Sequence, residues 1–230
     1  MGNGKLKKKL SFLSILTQVS ILKSVYFNLK YFPMKTALKL PVVIHKHTFL
    51  RCCQGKVILP NKIYPGMIRI GARGLGVEDY KYRRTVWFNK GNVIFEGSAY
   101  VGSGSRLSVD EGAHLHLGNN FVITGASTII CNKDISIGND SLLSWDVLLM
   151  DSDFHKILMN GKISNVPKSI IIGNHVWIGC RNTILKGVQI PDDVVIASNS
   201  VITHSVDESN IIIGGNRNNI VLKRNVDWLN

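Results

Sequence analysis

Isoleucine stands at positions 172, 178, 184, 190, 196 and 202, each six residues after the last. A period of six is not the 3.6-residue period of a helix, and strict alternation would not single out one residue in six. It suits a chain that makes one short strand and one corner every six residues. The residue four places after each isoleucine is small or β-branched: Val176, Asn182, Val188, Val194, Ser200 and Val206. Because strand side chains alternate, these two positions of each hexad point inward together, and Gly173, Asn174, Gly179, Lys186, Gly187, Asp192, Asp193 and Asn199 fall at the corners. The same phase recurs, with offsets, at Ile137, Leu143 and Leu149, at Leu117, Ile123 and Ile129, and at Phe95, Val101 and Leu107. The pattern predicts an all-β solenoid from about Phe95 to Ile213, in which each coil stacks its aliphatic residues on those of its neighbours. The runs between Val42 and Lys90 read as less regular early coils.

The hexad rule fails once, from Asp151 to Ser169. Insertions in solenoids project as loops from one face, and such loops often carry the binding surface. This one contains Asp151, Asp153, His155, Lys156, Asn160, Gly161, Lys162, Asn165 and Pro167. The chain therefore divides into an extension (1–41), a β-helical domain (42–213, with the insertion 151–169) and a tail (214–230).

Charge is unevenly spread. Of the net +13, residues 1–40 contribute eight lysines and no acid. Leu10, Leu13, Ile15, Leu16, Val19, Leu22, Tyr26 and Leu29 predict an amphipathic helix over 1–31, with Pro33 and Pro41 at its exit. Such a helix either packs on the solenoid or on another subunit, or lies on an anionic membrane surface. Thr17, Gln18, Ser20 and Lys23 make the segment a poor secretory signal or membrane span. Four unpaired-looking cysteines (52, 53, 131, 180) suit a reducing cytoplasm, with peripheral contact at the inner face of the membrane as an extension of that expectation.

The hexads, the stretch Ile171-Ile172-Gly173-Asn174-His175-Val176-Trp177-Ile178-Gly179, and the aspartate-rich loop ending in His155 resemble the left-handed β-helix, hexapeptide-repeat acyltransferases. Within them they are similar to sugar O-acetyltransferases acting on maltose, galactosides and surface polysaccharides, over about Leu117 to Lys223. The resemblance implies a three-sided prism of left-handed hand, which is an exception for parallel crossovers. It also implies a homotrimer with sites between neighbouring prisms, acetyl-CoA as co-substrate, a sugar or glycan acceptor, no metal and no nucleic-acid partner.

By that resemblance His155 is the catalytic base, a task suited to imidazole because a sugar hydroxyl must lose its proton as it attacks a thioester. Asp151 and Asp153 are candidates for orienting its ring. Trp177, Gly179, Cys180, Ala197, Ser198, Thr203 and His204 fall at cofactor positions, although His204 stands where the family usually has lysine. Gly214-Gly215-Asn216 lacks the following proline and alanine of the family turn, and Lys223 and Arg224 supply the basic residues for the nucleotide end. Asn132, Trp145 and Asp146 are acceptor candidates, while Ala126 replaces a polar contact. Two other readings remain at this point. One is a zinc carbonic anhydrase of the same fold, to which His114 and His116 on one strand face would be relevant. The other is a non-enzymatic binding module, which would be expected to show a regular outward array that the variable outward positions lack.

Overall fold

A computed structural model describes residues 18–74, 76, 79, 82–216 and 219–229. The backbone winds into a left-handed β-helix whose three parallel sheets form the faces of a prism. The first face carries strands at 42–44, 68–72, 99–102, 121–123, 142–143, 177–178, 194–196 and 211–214. The second carries 48–53, 85–89, 106–109, 128–131, 148–150, 183–185 and 201–202, and the third 56–58, 92–95, 114–117, 134–137, 170–172 and 189–190. Coiling begins at Val42, well before the regular repeats. Register shifts at Leu50/Cys52 and Ile70/Ala72 hide the period in those early coils.

The six isoleucines are all at most 2% exposed, and so are Val176, Asn182, Val188, Val194 and Ser200. They stack by register: Val101 on Ile123, then Leu143, Ile178 and Ile196 on the first face, and Leu107 on Ile129, Leu149, Ile184 and Ile202 on the second. Ile178 and Ile196 are 18 residues apart, three hexads. Val101 and Ile123 are 22 apart and Ile123 and Leu143 are 20 apart, the excess lying in longer strands and corners. That excess is the physical origin of the offsets between sequence blocks.

Asparagine and aspartate hold one corner together. The side chains of Asn119, Asn139, Asn174 and Asp192 each accept from the backbone N–H of the coil below, at Ser98, Asn119, Asn139 and Asn174, over 2.7–3.0 Å. Next to them Asn120, Asp140, His175 and Asp193 adopt φ of 54–59°, a left-handed conformation that Asn and Asp tolerate better than most.

The N-terminal end is closed by helix α1, Ile21–Tyr31, and the short α2, Met34–Ala37. Ser20 has extended backbone and caps α1, while Val19 bridges to His45. The helix expected over 1–31 is therefore interrupted at 19–20; positions 1–17 lie outside the described residues. Phe27, fully buried, plugs the prism against Trp87 at a centroid distance of 5.2 Å. Asn28 donates to Val42 O and accepts from Val42 N, and Ser24 accepts from Ile44 N, so the first strand's edge is paired by side chains rather than left open. The outer side of α1 exposes Leu22, Val25, Tyr26 and Leu29.

Candidate active site

The insertion leaves the prism between strands 148–150 and 170–172, the edge shared by the second and third faces. Asp151, fully buried, begins it: its two carboxylate oxygens accept from the backbone N–H groups of Asn132 and Lys133 at 2.7 and 2.8 Å. Beyond it Leu158–Met159 and Lys162–Ile163 pair as an antiparallel hairpin around Asn160 (φ 50°) and Gly161 (φ 74°). Asn-Gly is the dipeptide favoured in two-residue type I′ turns, a hairpin signal that stands in the sequence outside the hexad pattern.

His155 sits between the buried start and this hairpin, with its side chain exposed. Asn165 fixes the backbone around it by donating to His155 O (2.7 Å) and to Asp153 Oδ2 (2.8 Å) and accepting from Ile157 N (2.6 Å). Lys186, one coil further along, donates to Asp153 and to Asn165 O. The hydrogen bond from Lys186, helped by Asn165, holds the Asp153 carboxyl below the usual carboxylate range. Both aspartates proposed to orient the imidazole are thus directed elsewhere, Asp151 to backbone N–H groups and Asp153 to Lys186 and Asn165. They build the loop rather than aim the ring. Sequence spacing does not reveal the roles of Lys186 and Asn165, whose shared partner Asp153 lies 33 and 12 residues away from them.

A cavity of about 260 Å³ opens beside His155, lined by Asn132, Ser152, Phe154, Lys156, Ile163 and Asn165 among others. Asn132 is the acceptor candidate that the structure brings to His155. Trp145 and Asp146 lie instead at the corner between the first and second faces, where Arg83 reaches Asp146 at 3.4 Å.

The cofactor candidates form a second group on the first face. Trp177 projects outward, 38% exposed, and donates from Nε1 to Ser144 Oγ at 3.0 Å. Its outward ladder continues through Val195 and Ile212 to Lys223, since the strand 220–224 returns antiparallel along 211–214. At the adjoining corner Cys180 Sγ meets Ser198 Oγ at 3.3 Å, and a Cβ on Gly179 would lie 2.7 Å from Ile196 O. Ala197 is on the same turn, its N–H donating to Ile213 O. Thr203 and His204 bond to each other at the end of the second face, and Arg224 pairs with Glu208 at 2.8 Å, away from an open phosphate role.

Trp228, from the tail, stacks on His175 at 4.5 Å and 7°, lies 5.9 Å from Trp177, and donates to His175 O. His175 also bonds Asp193 at 2.8 Å, and that contact raises its pKa above the ordinary imidazole value. No local motif in the sequence marks Trp228, whose partner His175 stands 53 residues away. His114 and His116, by contrast, stack on the third face 6.4 Å apart, with Asn92 beside His114. Among the described residues no three His, Cys, Asp or Glu side chains are placed to share a metal ion.

A three-sided parallel solenoid broken by one histidine-bearing loop defines the class: a hexapeptide-repeat β-helix protein. Residues 169–204 match the bacterial transferase hexapeptide (six repeats) family, so that segment carries the family's repeats. It is 33% identical over 107 residues to the galactoside O-acetyltransferase of Escherichia coli (strain K12), covering 45% of this chain and 51% of that one. It is 46% identical over 65 residues to a polysialic acid O-acetyltransferase of Neisseria meningitidis, covering 27% and 30%. The chain thus spans about half or less of these relatives' length. The crystal structure of the polySia-specific acetyltransferase NeuO superposes with a TM-score of 0.56 at 22% identity, over 80% of this chain and 72% of that one, a likeness of fold.

Proposed function

We propose that the protein is an acetyl-CoA-dependent O-acetyltransferase acting on a sugar hydroxyl, in the assembly of a surface polysaccharide or lipid-linked glycan. The observation that carries this is His155, exposed beside a cavity on a loop whose backbone Asn165 and Lys186 pin to the prism. The similarity to galactoside and polysialic acid O-acetyltransferases supports the same chemistry.

In this reading His155 accepts the proton of the acceptor hydroxyl as its oxygen attacks the thioester carbonyl, and returns that proton to the departing thiolate. Asn132 holds the acceptor. Trp177, Gly179, Cys180, Ala197 and Ser198 hold the pantetheine arm, and Lys223 lies three strand spacings from Trp177, about 14 Å, toward the nucleotide. His155 projects from the edge of the second and third faces, whereas Trp177 stands on the first. A site using both needs a neighbouring subunit, which favours the homotrimer. The exposed apolar arm of Phe154, Ile157, Leu158 and Met159 is suited to reach that neighbour.

The outer stripe of α1, with its lysine-rich surroundings, fits peripheral contact with an anionic membrane carrying the acceptor. Among the described residues no helix is long and apolar enough to cross a membrane. Incubation with acetyl-CoA and lipid-linked glycans, followed by mass spectrometry, tests the proposal: the product gains one acetyl group on a hydroxyl. Hydrolysis or binding without any acetylated glycan across a broad acceptor panel contradicts it.

A further inference from the structure

The second face carries a groove that the acetyl-transfer chemistry does not use. A cavity of about 310 Å³ lies over the early coils, lined by Arg51, Phe88, Arg106, Ser108, Asp110 and Thr128 among others. Cations crowd its N-terminal end. Arg51 lies 5.7 Å and Lys90 5.6 Å from the Phe88 ring centroid, and Arg84 stands 5.0 Å over Phe49. These three cations and Arg106 are exposed, and among the described residues none of Arg51, Arg84, Lys90 and Arg106 pairs with a carboxylate. Arg51 is the extra residue where the register slips between Leu50 and Cys52, a bulge of the kind that re-aims a side chain.

The groove leads toward His155. Two outward ladders run along the face, Arg106 to Thr128 to Leu148 and Ser108 to Ile130 to Met150, so Arg106 is two strand spacings, about 10 Å, and Arg51 four, about 19 Å, from the coil that emits the insertion. Asp110 is the carboxylate lining this groove, and it accepts from Asn132 at 2.9 Å, the residue that lines the His155 cavity. The two cavities therefore share a wall. The far edge of the same face carries Trp145 and the Arg83–Asp146 pair.

We propose that this groove is a docking track for an acidic glycan, an extended sugar chain whose carboxylates pair with Arg51, Arg84, Lys90 and Arg106 while a hydroxyl further along reaches His155. The proposal rests on the acetyltransferase reading and names its acceptor class. A nucleic acid fits less well, because single strands need open aromatic faces for stacking, and here Phe88 and Phe49 are already attended by cations.

The test compares binding of a decameric oligogalacturonate with its methyl ester, the same chain without charge, by calorimetry on the full-length protein. The acid should bind at least tenfold more tightly than the ester. The Arg51→Ala/Arg106→Ala double variant should lose at least tenfold in affinity for the acid, as should the wild type on raising salt from low to several hundred millimolar, while Lys62→Ala should not. Equal affinity for acid and ester, or an undiminished affinity in the double variant, overturns the proposal. Tighter binding of a single-stranded DNA decamer than of oligogalacturonate also overturns it, in favour of a nucleic-acid surface. His155→Ala should bind oligogalacturonate like the wild type, and acetyl-CoA binding is measured separately, so failure of the glycan track and failure of the transferase chemistry give different results.

Discussion

Gly138 illustrates how little room a stacked corner leaves. A Cβ there would lie 2.5 Å from the Gly173 carbonyl oxygen, which belongs to the next coil's backbone and cannot swing aside. Gly138→Ala should cost about 1–3 kcal/mol, the range for overpacking, read as a lowered denaturation midpoint. Asp151→Ala should cost about 3 kcal/mol by orphaning the N–H groups of Asn132 and Lys133. His45 makes stability depend on pH. It is 6% exposed, and burial, then Arg69 and Arg73, lower its pKa to about 4 from the ordinary 6.5. The unfolded chain binds this proton below about pH 6.5 and the fold does not until about 4. Stability contributed above 6.5 is therefore lost as pH falls through that window, by up to about 3 kcal/mol. His45→Leu should flatten that part of a pH-dependent urea series. His175 acts in the opposite sense: with its pKa raised by Asp193, its contribution is full below 6.5 and fades as pH rises through the raised value.

Among the elements, the isoleucine column and the insertion should respond differently to substitution. Ile190→Asp places an unpaired charge in the stack where Ile190 is 2% exposed, and should abolish soluble expression, while changes at Leu158 or Met159, both more than 60% exposed, leave the fold intact. Similar sensitivity in the two regions, measured by yield and melting temperature, would contradict the register. The column was legible in the sequence because Ile172, Ile178 and Ile184 pair with Ile190, Ile196 and Ile202, three hexads on, so one packing constraint repeats on each face. The early coils were less legible because bulges and longer corners break the count, although their inward residues obey the same rule. Within the insertion, His155 was visible and its supports were not: Lys186 stands on a regular hexad and looks like any solvated corner lysine. Aspartates close to a histidine in sequence suggested an orienting role that Asp151 and Asp153 do not fill, because backbone N–H groups and Lys186 satisfy them first.

At the scale of the whole molecule, the two ends of the prism are closed differently. Side chains of α1 satisfy the first strand, whereas an antiparallel return covers the last strand of the first face and brings Trp228 to Trp177. If α1 also meets a membrane, the intact protein should sediment with anionic liposomes at low salt and be released at high salt. Because Phe27 plugs the core, single Leu22→Ser or Tyr26→Ser changes on the exposed stripe test this better than truncation; binding unaffected by both salt and stripe would remove the membrane role. The central claim is that one loop histidine turns a cofactor-binding prism into an acetyltransferase. Its most direct test is His155→Ala, assayed for turnover with acetyl-CoA and for acetyl-CoA affinity by calorimetry. The account predicts turnover lower by about two to four orders of magnitude at unchanged affinity; turnover within a few-fold of wild type, or an equal loss of affinity, would contradict it.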